Sequence, residues 1–179
     1  GVYESSNGVH QIRNVRMYTN KGYFDQANVQ WIDRCGPQAT VSGFERGGHV
    51  YMCDAFGSYN FLTNDTAWQN GGYVLAHEWG HYFYSLRDEY RKDGVPCTGT
   101  PSEKPQGPCE DDIPVVPSIM NAQWRAIGGE YQWLNFSTAL NDTHRTSQHR
   151  TYLASGWETL ARPTSEDPFT WYGRRYPRI

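Results

Sequence analysis

Apolar and β-forming residues alternate loosely with polar ones from Val9 to Tyr18, which predicts a strand over 9–18. The next stretch is mixed. Ala27, Trp31 and Ile32 suit a helix and Asn28-Val29-Gln30-Trp31 suits a strand, so the pattern is read as a helix over 25–27 running into a strand over 28–32. His49 to Cys53 reads as a short strand ahead of a turn-rich stretch, 54–70. Val74, Leu75, Glu78, His81 and Tyr82 then fall at helical spacing, which predicts an amphipathic helix starting near Gly72. The stretch 92–117 holds Pro96, Pro101, Pro105, Pro108, Pro114 and Pro117 among scattered glycines, so it is expected to be a long irregular loop. A last helix is expected over 147–161, with Leu153, Trp157 and Leu160 on one face and Pro163 beyond its end. The pattern as a whole predicts an α+β fold with a mixed sheet, and one domain over 1–179 whose residues 162–179 form a docked tail or a linker.

Within the helix that starts near Gly72 lies His77-Glu78-Trp79-Gly80-His81. Two imidazoles four residues apart share one helix face and reach one zinc ion, and the intervening Glu78 points at the water that such an ion holds. Five residues alone are thin evidence, because chance produces the pattern in roughly one chain in a hundred of this composition. The helical context of the flanks is what raises it to a candidate site. Zn²⁺ is therefore the expected cofactor, His77 and His81 its ligands, and Glu78 the general base of a hydrolase.

A catalytic zinc typically takes three protein ligands. Asp88 stands seven residues past His81, about 10 Å further along an unbroken helix, so it can bind only if the helix ends between about Phe83 and Leu86 and the chain folds back. Glu89 is the neighbour that could substitute. Glu103 and Glu110 sit in the proline-rich loop, and His144 and His149 near the last helix read more simply as polar helix-end residues.

Composition narrows the classes of function. A net charge of −3 provides no electrostatic footprint for nucleic acid. No apolar run approaches the ~20 residues that a membrane span needs. Mean hydropathy is −0.77, yet aromatic residues reach 15%, so the core is expected to rest on large rings, with some lining surface grooves. Cys35, Cys53, Cys97 and Cys109 lack the close spacing of a zinc knuckle and read as two disulfides; three pairings are possible, and proximity favours Cys35 with Cys53 and Cys97 with Cys109. Disulfides imply a secreted, extracellular protein. Absence of an initial Met or a signal-like stretch suggests a mature or excised piece. The cluster Glu110-Asp111-Asp112 lacks the spacing of a calcium loop and reads as a solvated acidic turn.

The motif with its six-residue spacer and Asp88-Glu89-Tyr90 resembles the metallohydrolase domain of the calcium-activated chloride channel regulator family, whose members carry His-Glu-Trp-Ala-His, six residues, then Asp-Glu-Tyr. Ser118-Ile119-Met120 is similar to that family's Ser-Ile-Met segment, which looks like the Met-turn beneath the zinc of metzincins. Further similarities are Arg13-Asn14-Val15, Ala27-Asn28-Val29, Cys35-Gly36 and Thr143-His144 ahead of Trp157-Glu158, so that the resemblance runs over roughly residues 9 to 160. It implies a zincin-like metalloprotease with His77, His81 and Asp88 on zinc, Glu78 as base, and Met120 as an apolar floor under the histidines. Two positions depart from the family. Gly80 replaces Ala, and Ser85 stands where the family has a Gly that could form the turn. The family's following von Willebrand A domain is absent, so a downstream domain of a longer parent chain is one expected partner.

The expected function is zinc-dependent endopeptidase action on secreted polypeptides or on the parent chain. The rival readings are a zinc-containing adhesion or glycan-binding module without proteolysis, and a non-proteolytic zinc amidase. Glu78 favours an enzyme, because a purely structural zinc site has no use for a carboxylate aimed at an open position. An oxyanion stabiliser is left open among Tyr90, Tyr131 and His144.

Overall fold

The computed structural model describes residues 8–33, 36–41, 44, 47–56, 59–89, 118–121, 123, 135–140 and 146–162. The expected 92–117 loop, the tail beyond 162, Cys35, Cys97, Cys109, Tyr90, Tyr131, His144, Glu103 and the 110–112 cluster all lie outside them.

The described residues form an α+β protein. A 3₁₀ turn, Phe24–Gln26, leads into β1, Val29–Trp31, and the sheet is completed by β2, Gln38–Ala39, and β3, Val50–Met52. The strand order is β1-β3-β2. β1 runs parallel to β3, with Val29 opposite Val50, and β2 is antiparallel to β3, with Ala39 opposite Val50. A small hairpin of β4, Ala55–Phe56, and β5, Tyr59–Asn60, follows. Then come the long helix α1, Asp65–Tyr82, and two short helices, α2, Ser147–Tyr152, and α3, Gly156–Ala161.

α1 is the element on which the fold turns. It begins at Asp65, a full two turns before the start read from the sequence, because Asn64 caps it: the Asn64 side-chain oxygen accepts from Ala67 N–H at 3.0 Å. Such a cap is worth about 1 kcal/mol, and Asp65 in the first turn adds a favourable charge. Gly71 does not break the helix. A Cβ there would lie 3.1 Å from the Phe61 ring, so its bareness lets the hairpin exit pack directly on the helix.

Two cores flank α1. On one side Val74 and Tyr82 pack with Val50, Met52 and Phe61 of the sheet and hairpin. On the other Ala76 packs with Tyr84, Leu86, Ile119, Met120, Phe136 and Leu160. Trp79 and Phe83 border both clusters, stacked with ring centroids 5.4 Å apart. Fully buried Val50, Met52 and Val74 contribute roughly 1.5–3 kcal/mol each. The helix that carries the motif is therefore wedged between the sheet and the chain that follows it.

Two further expectations are corrected. Residues 9–18 form no strand: Val15 and Met17 are exposed, and the segment is tied down by His10, whose Nδ1 hydrogen-bonds Tyr84 Oη at 2.8 Å while its ring stacks on Tyr84. β-forming residues adopt a strand only beside a sheet edge, and none of the described strands pairs with this segment. The helix read over 147–161 is two helices. Leu153 takes a left-handed conformation, φ 55°, that ends α2, and Ser155 starts α3 in a reciprocal capping box with Glu158. Leu153 is consequently exposed rather than on a buried face, whereas Leu160 is buried. The strands over 28–32 and 49–53 do form, each trimmed at its ends.

Candidate metal site

His77, Glu78 and His81 lie in the last turns of α1 and are all buried. The helix stops at Tyr82. Phe83 is its C-cap, and Ser85 turns the chain back in a left-handed conformation, φ 60°. This is the reversal that Asp88 needs, made without the glycine that the resembled family uses. An L residue in this region carries a cost on the order of 1 kcal/mol. Compensating bonds hold it: Leu86 N–H donates to Gly80 O at 3.0 Å, and Tyr152 Oη donates to Ser85 O at 2.9 Å.

The reversal brings Asp88 onto the histidines. Asp88 Oδ1 lies 3.4 Å from His77 Nε2 and 3.2 Å from His81 Nε2, and the two Nε2 atoms are 3.2 Å apart. The rings stand at 85° to each other. Each ring is oriented from behind. His77 Nδ1 lies 2.7 Å from Ile119 O, and His81 Nδ1 lies 2.8 Å from Leu86 O. A carbonyl oxygen only accepts, so both rings carry their proton on Nδ1 and turn the Nε2 lone pair toward Asp88.

Three electron-rich atoms thus converge, and Asp88 Oδ1 is buried with no hydrogen-bond donor. One proton could bridge two of the three. A metal ion satisfies all three at once. Four ligands on a tetrahedral zinc lie roughly 3.3–3.4 Å from one another, which follows from bond lengths of about 2.0–2.1 Å, and the three observed separations are 3.2, 3.2 and 3.4 Å. His77, His81 and Asp88 form a group that could hold a metal ion. Burial alone would raise the Asp88 carboxyl; in the metal-free site a proton placed on His77 or His81 Nε2 is donated to it and outweighs burial, holding the group well below the usual carboxylate range, in the anionic form a ligand needs.

Glu78 stands outside the three-ligand group. Burial pushes its carboxyl up to about 7; the His77 ring opposes the rise, the Asp88 charge adds to it, and the backbone N–H of Ala39 on edge strand β2 opposes it. Met120 is fully buried and packs under Gly80, between the two histidines in sequence.

Asp88 and Glu89, neighbours in the sequence, part company in space. Asp88 faces the histidines, whereas Glu89 is completely buried and accepts from Ser118 Oγ, Ser137 Oγ and Gly156 N–H. Burial pushes the Glu89 carboxyl up, against the pull of those bonds. His149 is described and lies outside the ligand group. Sequence reasoning missed Gln148, whose side-chain oxygen accepts from Arg87 N–H and whose backbone N–H donates to Asp88 O. A buried glutamine in a short helix offers no sequence signal of that task. Cys53 is disulfide-bonded, with its partner outside the described residues, so the favoured pairing with Cys35 stays an expectation. Among the described residues no helix is long and apolar enough to cross a membrane.

Comparison with family models, with curated proteins and with solved structures finds no match to this chain.

Proposed function

We propose that this chain is a zinc-dependent endopeptidase of zincin-like fold, working outside the cell on secreted polypeptides or on a longer parent chain. The observation that carries the reading is the convergence of His77 Nε2, His81 Nε2 and Asp88 Oδ1 at tetrahedral spacing, with a buried glutamate on the same helix that is not a ligand. A structural site would close its fourth position with protein and would have no task for Glu78. When bound, zinc supplies Lewis acidity, lowering the pKa of water toward neutrality and polarising the scissile carbonyl.

The chain's own residues do the rest. His77, His81 and Asp88 hold the ion, and the Ile119 and Leu86 carbonyls keep the imidazoles aimed. Glu78 takes the proton from the attacking water on its carboxylate oxygen and delivers it to the nitrogen of the leaving amine. The disulfide at Cys53 supports an oxidising compartment.

The test is Glu78→Gln. The variant should keep its fold and about one zinc per chain while cleavage of unfolded protein falls by at least ~100-fold. Equal cleavage by wild type and variant would assign the activity to a contaminant. Zinc-loaded wild type that cleaves no polypeptide would favour the adhesion module or the amidase instead.

A further inference from the structure

Three segments far apart in sequence meet at one carboxylate. Glu89 Oε2 accepts from Ser118 Oγ at 3.0 Å, and Glu89 Oε1 accepts from Ser137 Oγ and from Gly156 N–H at 3.0 Å. Its own N–H donates to Met120 O at 2.8 Å. No cationic side chain among the described residues forms an ion pair with it. A fully buried carboxylate with no countercharge among the described residues is an expensive way to tie a fold together. It is usually retained where the geometry it fixes matters.

The geometry in question is that of the metal site. Ser118 opens the turn whose Ile119 carbonyl orients His77, and that turn is closed by reciprocal bonds between Ser118 and Asn121. Glu89 also adjoins Asp88, whose carbonyl accepts from Gln148 N–H, while Gln148 Oε1 accepts from Arg87 N–H on the other side. Gln148 is itself anchored through Nε2 to Thr159 Oγ1 in α3, the helix whose first N–H is bound by Glu89. The two contacts that orient His77 and carry Asp88 are therefore fastened to each other by the Glu89 side chain.

We propose that Glu89 is a positioning residue for the metal site: without touching the ion, it clasps the Ile119 turn to the Asp88 segment and so sets the separation of His77 Nε2 from Asp88 Oδ1. This rests on the metal-site reading above. A carboxylate accepts from all three donors at once, with neither serine hydroxyl having to reverse its role. Glutamine would present an NH₂ group to one of the serines and accept on one atom only.

The experiment compares zinc affinity, by competition with a chromophoric chelator, and the visible spectrum of the cobalt-substituted 179-residue chain. Glu89→Gln should fold, bind zinc 10–100-fold more weakly, as loss of a residue that orients ligands commonly does, and shift the cobalt bands. Glu158→Ala, which removes the side-chain half of the α3 capping box, should lower the melting temperature yet leave zinc affinity within twofold and the cobalt bands unmoved. Glu89→Gln with zinc affinity within twofold of wild type and an unchanged cobalt spectrum would overturn the proposal, as would an equal loss of affinity in Glu158→Ala. If Glu89→Gln fails to fold, Ser118→Ala and Ser137→Ala decide: weakened zinc binding in either supports the clasp, and wild-type affinity in both overturns it. Wild-type protein that binds no zinc would instead sink the metal site itself, and the clasp with it.

Discussion

A Cβ built on Gly80 would lie 2.5 Å from the Met120 sulfur, so the helix surface between the two histidines is bare because the thioether occupies that space. Gly80 gives up about 1 kcal/mol of helix propensity relative to alanine, and in exchange Met120 packs hard against the motif helix with Phe136 beside it.

Gly80→Ala should therefore destabilise the protein even though alanine is the better helix former. Overpacking against a fully buried side chain costs about 1–3 kcal/mol and outweighs the propensity gain. Denaturant unfolding should show a net loss of about 1 kcal/mol. In the Gly80→Ala/Met120→Ala double variant the two effects should fail to add by at least about 1 kcal/mol, since the clash is then gone. Strict additivity would mean the two residues do not press on one another.

Metal removal should be visible in stability. Zinc at about 100 times its Kd should add about 2.7 kcal/mol, which for a chain of this size raises the Tm by roughly 5–10 °C. His77→Ala, His81→Ala and Asp88→Ala should each abolish that rise in calorimetry. Glu78→Gln should keep it, because Glu78 is not a ligand.

Glu78 also predicts a pH dependence in the metal-free protein. Its folded pKa of about 7 lies above the ordinary value of 4.5, so the native state holds the proton up to a higher pH than the unfolded chain does. The associated stability is fully present below about pH 4.5 and is lost as the pH rises through 7, at about 1.4 kcal/mol per unit, up to about 3 kcal/mol. Wild type should accordingly fall behind Glu78→Gln across that window in chelator-treated samples, with the gap narrowing once zinc is added. Parallel stability curves for the two proteins would contradict the assignment of the window to Glu78.

The turn at Ser85 predicts an asymmetric response to substitution. Ser85→Gly relieves the positive φ while losing the hydroxyl near Tyr152 Oη, and should change stability by less than about 1 kcal/mol. Ser85→Val places a β-branched residue where such residues are true outliers and should cost about 2 kcal/mol or more, with a parallel loss of zinc affinity as Asp88 is displaced.

Cys53 should not react with a thiol reagent until the protein is reduced. Non-reducing peptide mapping should then recover Cys53 joined to Cys35, the pairing that sequence proximity favours. Recovery of Cys53 with Cys97 or Cys109 would replace that pairing.

How much of this was legible without a structure follows from the range of the interactions involved. The imidazole pair and Glu78 were readable because one helix turn places them by local geometry alone, and the need for a helix stop before Leu86 followed from rise per residue. The start of that helix was misread because Gly71 and Gly72 look like breakers, whereas the Asn64 cap and the close approach of Phe61 carry the helix through them. Alternation over 9–18 suggested a strand, but a strand exists only where a neighbour supplies its hydrogen bonds, which is a property of the assembled sheet.

The sequence by itself determined the local chemistry: two histidines on one helical face, a glutamate between them, and a carboxylate pair seven and eight residues further on. Only the tertiary structure decided which carboxylate faces the histidines. Asp88 and Glu89 differ by one methylene and one position, and nothing local separates them. The separation comes from the left-handed Ser85, the Gln148 bonds to Arg87 and Asp88, and the three donors that draw Glu89 into the core. These partners are contributed from 29 to 67 positions away, so the choice between the two carboxylates belongs to the folded chain and not to any window of its sequence.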